Sequence, residues 1–429
     1  MADAKPKGKG RPSENPAGNR KKKKDTQLRR RHRSLRRREN SLRRPSGDSE
    51  TMGKAARTGL PPRRRGLPEE IVVWEILVRL PPKPLLRCRQ VCRAWRRLTS
   101  TGDFLLTHHR HQPTLPLVDR YKCNEEFLLG IVSLDRRAAA ARLQPVAQLD
   151  DTCYMMSADA SCDGLLLLSI GGIWWFICNP ITRQFGALHL LCGFMVMGFY
   201  KHPPTGDYRL LLYRNQELMS EHLIPGDRNT CYVYTLGSSD VPRCIGWPET
   251  SASGATVVLH CSLHWYQRSQ DMILVFDTTA ESFRWMRAPS DRMKCTLDSG
   301  NLFDMDGKLG MYCSNDGCTI VDIWVLQDYK REIWSLKYQV ELPVPEIRGM
   351  LGGAYHWSAM VLSQEGDVLV LVSCDRWLFY IDTEGNLLAS FQHYGDGLFT
   401  IGLKLKPSLV QHAFFPLLDS YAVNASPFI

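Results

Sequence analysis

The sequence predicts a small all-α module followed by a large all-β domain, a propeller of about six blades, behind a disordered basic arm. Three observations point there: a helical apolar pattern at residues 67–100, short apolar strands from about Pro113 onward, and an internal repeat among those strands. The boundaries that follow are 1–66 for the arm, 67–112 for the helical module and 113–429 for the β domain. The rival architecture for the last part is a sandwich of two stacked sheets.

The arm comes first. Residues 1–66 hold 23 of the 55 Lys and Arg and 6 of the 44 Asp and Glu, leaving 32 against 38 in the remainder, so the formal charge of +11 belongs to the arm alone. A segment rich in Lys, Arg, Pro, Gly and Ser and nearly free of aliphatic side chains buries too little surface to offset the entropy of ordering. Its RKKKK at residues 20–24 and RRRHRSLRRR at residues 29–38 have the form of a nuclear-import address or a nonspecific nucleic-acid patch, set against the plainer reading of a solvated tail. Nucleic acid as the main partner is disfavoured, because the arm has no Phe, Tyr or Trp on which bases could stack. The expected location is nucleus, cytoplasm or both.

From Leu67 the spacing becomes helical. Pro68 suits a first helical position, and Glu69 and Glu70 fall where the helix dipole favours acids. Val73, Leu77 and Leu80 recur at helical spacing with Ile76 beside them, until PPKP at residues 81–84 stops the helix. A second helical pattern, Leu85, Cys88, Val91, Cys92 and Trp95, carries Arg87, Arg89, Arg93, Arg96 and Arg97 on its other face. FLLTHHRH at residues 104–111 forms a third. So short a unit has too little apolar volume to stand alone, so Leu67, Ile71, Leu80 and Pro81 are expected to be covered by a partner. The alternative is a helical cap on the β domain.

The β domain shows its repeat in four segments: WWFICNPITRQF from Trp174, ILVFDTTAESFRW from Ile273, IWVLQDYKREIW from Ile323 and LFYIDTEGNLL from Leu378. Each joins an apolar strand to a polar turn and is preceded by another strand-like run; YRLLLYR from Tyr208 with YVYTLGS from Tyr232 is a weaker copy. The turn residues Asn179, Thr235, Asp277, Asp328 and Asp382 lie 56, 42, 51 and 54 apart. Units of about 40 to 50 residues built of short antiparallel strands are what propeller blades look like in sequence. Closure is the physical reason, since radially stacked sheets cover each other's faces and leave only short edges.

The module resembles the F-box, by which substrate receptors of SCF-type ubiquitin ligases dock on a Skp-family adaptor. The matching residues are LPEEIV at residues 67–72, EILVRLPPK at 75–83, LLR at 85–87 and VCRAW at 91–95. The β domain is similar to the plant F-box-associated domain through DGLLLL and NPITRQF, GFYKHPPTGDYRLLLYR, CSLHWY, ILVFDTTAESFRWM, and LGMYC with IWVLQDY. By that resemblance Leu67, Pro68, Ile76, Leu77, Leu80, Pro81, Leu85, Val91, Cys92 and Trp95 fall at adaptor-binding or module-core positions, and Ile71 joins them by its expected exposure. Two departures stand out: Cys88 where the family more often has phenylalanine, implying looser packing, and Pro84 in place of a serine cap.

Constellations that suggest chemistry have plainer readings. His108, His109 and His111 lack a cysteine or carboxylate at ligand spacing, so neither a metal nor a cofactor is expected. DMDGK at residues 304–308 lacks the closing glutamate of a calcium loop and reads as a hairpin turn with Gly307 at positive φ. Phosphate-cradling, dinucleotide and nucleophile-elbow motifs are absent. The fourteen cysteines, without a C-x-x-C pair, read as reduced thiols, with Cys313 and Cys318 in the core, and the NAS at Asn424 as an inert sequon. The longest apolar run, residues 165–178, falls short of the roughly 18 residues of a membrane span. Of Trp174, Trp175, Trp265, Trp285, Trp324 and Trp377, most are expected in the core, with a few free to anchor a bound segment.

The resemblance therefore implies a noncatalytic receptor that joins a Skp-family adaptor, and through it a cullin, to an unidentified target protein. Two other classes stay open: a β-propeller enzyme or sugar-binding module with an acid-lined central pocket, and a nucleic-acid-associated protein acting through the arm.

Overall fold

The structure, a computed structural model, describes residues 67–121, 126–131, 144–150, 156–214, 230–246, 256–289, 301–315, 319–351, 357–364, 366–374, 376–392, 398–418 and 421–423. The arm, Cys318 and the Asn424 sequon lie outside the described residues.

Asn179, Asp277, Asp328 and Asp382, chosen from sequence as repeat markers, each turn the chain the same way. Asn179 Oδ1 accepts from the backbone N–H of Ile181 and Thr182 at 3.1 and 3.2 Å, and Asp277 Oδ1 from Thr279 and Ala280, both at 2.8 Å. Asp328 accepts from Lys330 and Arg331, and Asp382 from Glu384 and Asn386. Such a side chain replaces the next strand's ladder with a local turn, which ends one strand and starts its antiparallel neighbour.

The strands so punctuated make six sheets among the described residues. The first holds β1 (Leu115–Tyr121), β2 (Glu126–Ile131) and β3 (Gln144–Asp150), completed by β24 (Leu398–Leu405) from the far end of the chain. The second runs β4 (Met156–Cys162), β5 (Leu165–Ile170), β6 (Trp174–Asn179) and β7 (Gln184–Ala187), with β25 (Ala422–Val423) on its outer edge. The third has β8 (Met195–Lys201), β9 (Tyr208–Arg214), β10 (Thr230–Thr235) and β11 (Arg243–Gly246). The fourth has β12 (Val257–Leu259), β13 (Ser262–Gln267), β14 (Met272–Asp277) and β15 (Ser282–Arg287). The fifth has β16 (Asn301–Met305), β17 (Lys308–Ser314), β18 (Ile320–Asp328) and β19 (Ile333–Glu341). The sixth has β20 (Ser358–Gln364), β21 (Asp367–Cys374), β22 (Trp377–Ile381) and β23 (Leu387–Gln392).

The first strands β4, β8, β12, β16 and β20, with β24, line the centre, giving the six-bladed propeller the repeat predicts rather than a sandwich. Leu165 and Leu167 face the third sheet while Leu166 and Leu168 face the first, all fully buried. Alternation across one strand thus fills two seams at once. The run of four leucines is therefore a doubly covered strand, not part of a membrane span. Each of the six seams has its own apolar cluster, and α5 (Val344–Leu351) adds Ile347 to the one between the fifth and sixth sheets.

The helical module opens with α1 (Glu69–Ile71), which continues through a π turn at Val72–Ile76 and a 3₁₀ turn at Leu77–Arg79. α2 (Pro82–Cys88), α3 (Arg93–Leu98) and α4 (Gly102–His111) follow. Two expectations are corrected. PPKP does stop the first helix, since Leu80 and Pro81 are extended, but the second begins within it rather than after it: Pro82 and Pro84 lie in the first turn of α2, where a missing N–H leaves no bond unmade. The second helical pattern is two helices, broken at Val91, because Cys92 takes an extended conformation and its Sγ accepts from Trp95 N at 3.4 Å.

Val73, Leu77, Val78, Leu85 and Phe104 form the module's own core, closed from below by Leu409 and Ile181 of the propeller. α4 fastens the two parts. His109 donates from Nδ1 to the Pro407 carbonyl at 3.2 Å, its Nε2 lies 3.7 Å from Asp163 Oδ1, and Lys406 donates to the Arg110 carbonyl at 3.0 Å.

Candidate functional site

With one side of the module fixed to the propeller, the other is free, and its apolar side chains are open to water. Leu67 is 62% exposed, Ile71 43%, Ile76 44% and Val91 68%; Pro68, Pro81 and Cys92 are exposed as well. Leu80, Cys88 and Trp95 are half-buried against the module core, and Leu77 and Leu85 are buried within it. The last two therefore shape the free surface from beneath rather than line it. Three further residues share the exposure although sequence reasoning passed over them: Trp74, Leu86 and Leu106. Trp74 lies three positions after Ile71, which is the helical spacing that could have found it, and its ring sits 5.5 Å from that of Phe104.

The π turn explains how Ile71, Trp74 and Ile76 are all outward. A wider turn shifts the residues after it round the helix, so Ile76 leaves the buried face that Val73 and Leu77 keep. Of the arginine face, Arg89 alone is tied inward, from Nε to Thr99 Oγ1 at 3.1 Å and from Nη2 to the Thr99 carbonyl, and burial lowers its pKa. Arg87, Arg93, Arg96 and Arg97 stay exposed.

The histidine cluster is structural. His108 donates from Nε2 to the Leu80 carbonyl at 2.8 Å, burial holds its pKa below the usual imidazole range, and His111 bonds back to the Thr107 carbonyl. Together with His109 on Pro407, each ring is engaged with backbone. Among the described residues no three His, Cys, Asp or Glu converge as metal ligands.

The second concavity is the central channel, about 670 Å³, lined by residues of all six innermost strands. Asp304 and Asp306 sit near its module-side mouth, where the Asp306–Gly307 turn adopts positive φ as the sequence predicts. Asp304 Oδ1 accepts from Gly307 N at 2.8 Å, and Asp306 Oδ2 from Ser363 Oγ and Gly366 N, both at 2.9 Å. Lys404 enters from β24; burial lowers its ammonium pKa, and Asp304 and Asp306 oppose that. Asp159 enters from β4 with its side chain open to the channel, accepting from Ser157 Oγ at 3.1 Å on both oxygens; partial desolvation raises its carboxyl pKa against hydrogen bonds from Ser169 and Ser157. Ser358 and Thr400 add hydroxyls 3.3 Å apart. Of the repeat tryptophans, Trp175 and Trp265 are core, Trp285, Trp324 and Trp377 are half-buried, and Trp174 is 51% exposed.

Comparison with known proteins matches residues 136–400 to the F-box associated beta propeller domain and residues 65–111 to the F-box-like domain. F-box protein At5g49610 of Arabidopsis thaliana is 25% identical, the match covering 73% of this chain and 88% of that protein. F-box protein At5g65850 of the same plant is 26% identical over 65% of this chain and 71% of its own length.

Proposed function

The chain belongs to the plant F-box proteins that carry an F-box-associated β-propeller, and from that premise we propose that it is the substrate-recognition subunit of an SCF-type ubiquitin ligase. Its module would hold a Skp-family adaptor, and through it a cullin, while the propeller holds a target protein. The observation that carries this is the apolar surface of Leu67, Ile71, Trp74 and Ile76, left open on a module whose opposite side is already sealed. An open patch on a small, otherwise anchored unit is what a protein partner covers.

The chemistry asked of the chain is proximity. A receptor that fixes a target beside a charged conjugating enzyme raises the local concentration of the reacting groups without forming a covalent bond itself. The adaptor-binding residues in this proposal are Leu67, Pro68, Ile71, Ile76, Leu80, Pro81, Val91, Cys92 and Trp95 at the surface, with Leu77 and Leu85 holding it in shape. The basic arm is assigned to import, so the proposed location includes the nucleus.

Co-expression of the full chain with a Skp-type adaptor tests the proposal. Ile76→Asp, at an exposed position, is expected to weaken adaptor capture roughly tenfold or more while leaving the thermal midpoint unchanged. Equal capture by both chains, or by neither, would overturn it.

A further inference from the structure

We propose that the central channel receives a basic side chain, a lysine or arginine of the bound target, from the face opposite the helical module, with the Asp159 carboxylate as its charge partner. This deepens the receptor reading and rests on it.

The channel's size, about 670 Å³, is within the roughly 300 to 1,000 Å³ of ligand sites and exceeds what one side chain fills. Asp159 reaches it through an irregularity. Ala158 pairs with Leu168 and Ala160 with Leu167, so Asp159 is the extra residue of a β-bulge in β4, a device that re-aims a side chain away from the regular alternation. Without the bulge the strand would present its residues to the two seams in turn.

Asp159 also differs from the channel's other acids. Asp304 and Asp306 lie near Lys404, whereas Asp159, hydrogen-bonded by Ser157 and by the side chain and backbone of Ser169, pairs with no Lys, Arg or His among the described residues. A carboxylate that faces a channel of net negative charge without a counter-ion attracts an incoming ammonium or guanidinium, which supplies the missing charge partner. Three aspartates against one lysine leave the channel negative, which disfavours an anion.

The route in follows from the chain path. The β4–β5 turn at Asp163 and the exit from β24 at Pro407 both meet α4, so the β5–β6 turns lie on the opposite face. On that face Ile173, Trp174 and Leu190, outward of the innermost strand, are about half exposed, giving apolar anchorage on the same face for the segment that carries the basic residue.

The test uses the full chain and four probes: N-acetyl-lysine amide, N-acetyl-arginine amide, the neutral N-acetyl-glutamine amide and propionate, each titrated by ligand-observed NMR. A glycine-flanked hexapeptide with one central lysine is added to separate a protein-borne residue from a free amine. The two cations and the peptide are expected to saturate, the controls not, and Asp159→Asn to weaken the cations roughly tenfold or more. Binding of the glutamine amide or propionate as tight as the cations, absence of saturation by the cations or the peptide, or unchanged affinity in the variant would each overturn the proposal. The cation-over-neutral preference of the unaltered chain decides the matter should the variant fail to fold. Adaptor capture is measured on the same samples: it is expected to survive Asp159→Asn, and its loss from the unaltered chain would strike the receptor reading while leaving the channel result to stand.

Discussion

Gly164 and Gly307 both have φ of +84° at hairpin turns, but only one is crowded. A Cβ on Gly164 would lie 2.3 Å from Ser408 Cβ and 2.8 Å from the Lys406 carbonyl oxygen, whereas one on Gly307 meets nothing within 4 Å. Alanine at Gly307 therefore costs about 1 kcal/mol of left-handed backbone strain. At Gly164 the same substitution adds a collision with backbone that also anchors α4, and the loss should exceed about 3 kcal/mol. Urea unfolding of Gly164→Ala and Gly307→Ala measures both, and equal midpoints would show that the Ser408 contact is not tight. The Asp306–Gly307 pair was legible as a turn, because positive φ and a short polar side chain mark it locally. The crowding at Gly164 was not, since it comes from a segment far along the chain.

Among elements, β24 and the segment after it decide whether the ring is closed. β24 pairs with β1, joining the last strand to the first sheet, and beyond it Leu409 enters the module core while Phe414 and Phe415 fill the seam between the second and third sheets. Truncation after Leu405 should therefore loosen two places at once: hydrogen exchange is expected to speed in α4 and in β5 to β9, although β24 itself remains. Phe415→Ala alone, at a fully buried ring, should lower stability by about 3 to 5 kcal/mol. Truncation after Leu418 removes β25 and Tyr421, whose ring lies 6.0 Å from that of Phe415 and whose hydroxyl accepts from Gln184 Nε2 at 3.4 Å, and is expected to cost less than the truncation after Leu405. The markers Asn179, Thr235, Asp277, Asp328 and Asp382 revealed five sheets because each ends a third strand. The remaining sheet carries no such marker, and its fourth strand comes from the other terminus, a pairing that no local pattern records. In the module, likewise, the spacing of Leu85, Cys88, Val91 and Cys92 concealed a break, because helical period alone does not register an extended Cys92.

For the molecule as a whole, the seams that close the ring carry histidines held neutral, so acid acts on the closure itself. His264, fully buried between the fourth and fifth sheets, donates from Nδ1 to the Val257 carbonyl and accepts from the Tyr329 hydroxyl at 2.7 Å; burial pushes its pKa down to about 4. His412, whose ring centroid is 5.0 Å from that of Tyr208, is likewise lowered by burial to about 4, and its Nε2 is buried without a partner. In the unfolded chain both titrate near 6.5, so between about 4 and 6.5 the unfolded state binds more protons. Each contribution is whole above 6.5 and is lost as pH falls toward 4, amounting for His264 to roughly 3 kcal/mol overall and about 2 kcal/mol by pH 5. Asp163 does not confuse this window. The hydrogen bond from His109 holds its carboxyl below the usual carboxylate range, so its contribution is lost only under more acid conditions. His264→Gln keeps a donor and an acceptor at the seam without the titrating group. In equilibrium urea unfolding the variant should be the weaker at pH 7.5, and the gap should close by about 2 kcal/mol at pH 5. A gap that stays constant between the two pH values would show that His264 already takes a proton within the closed ring.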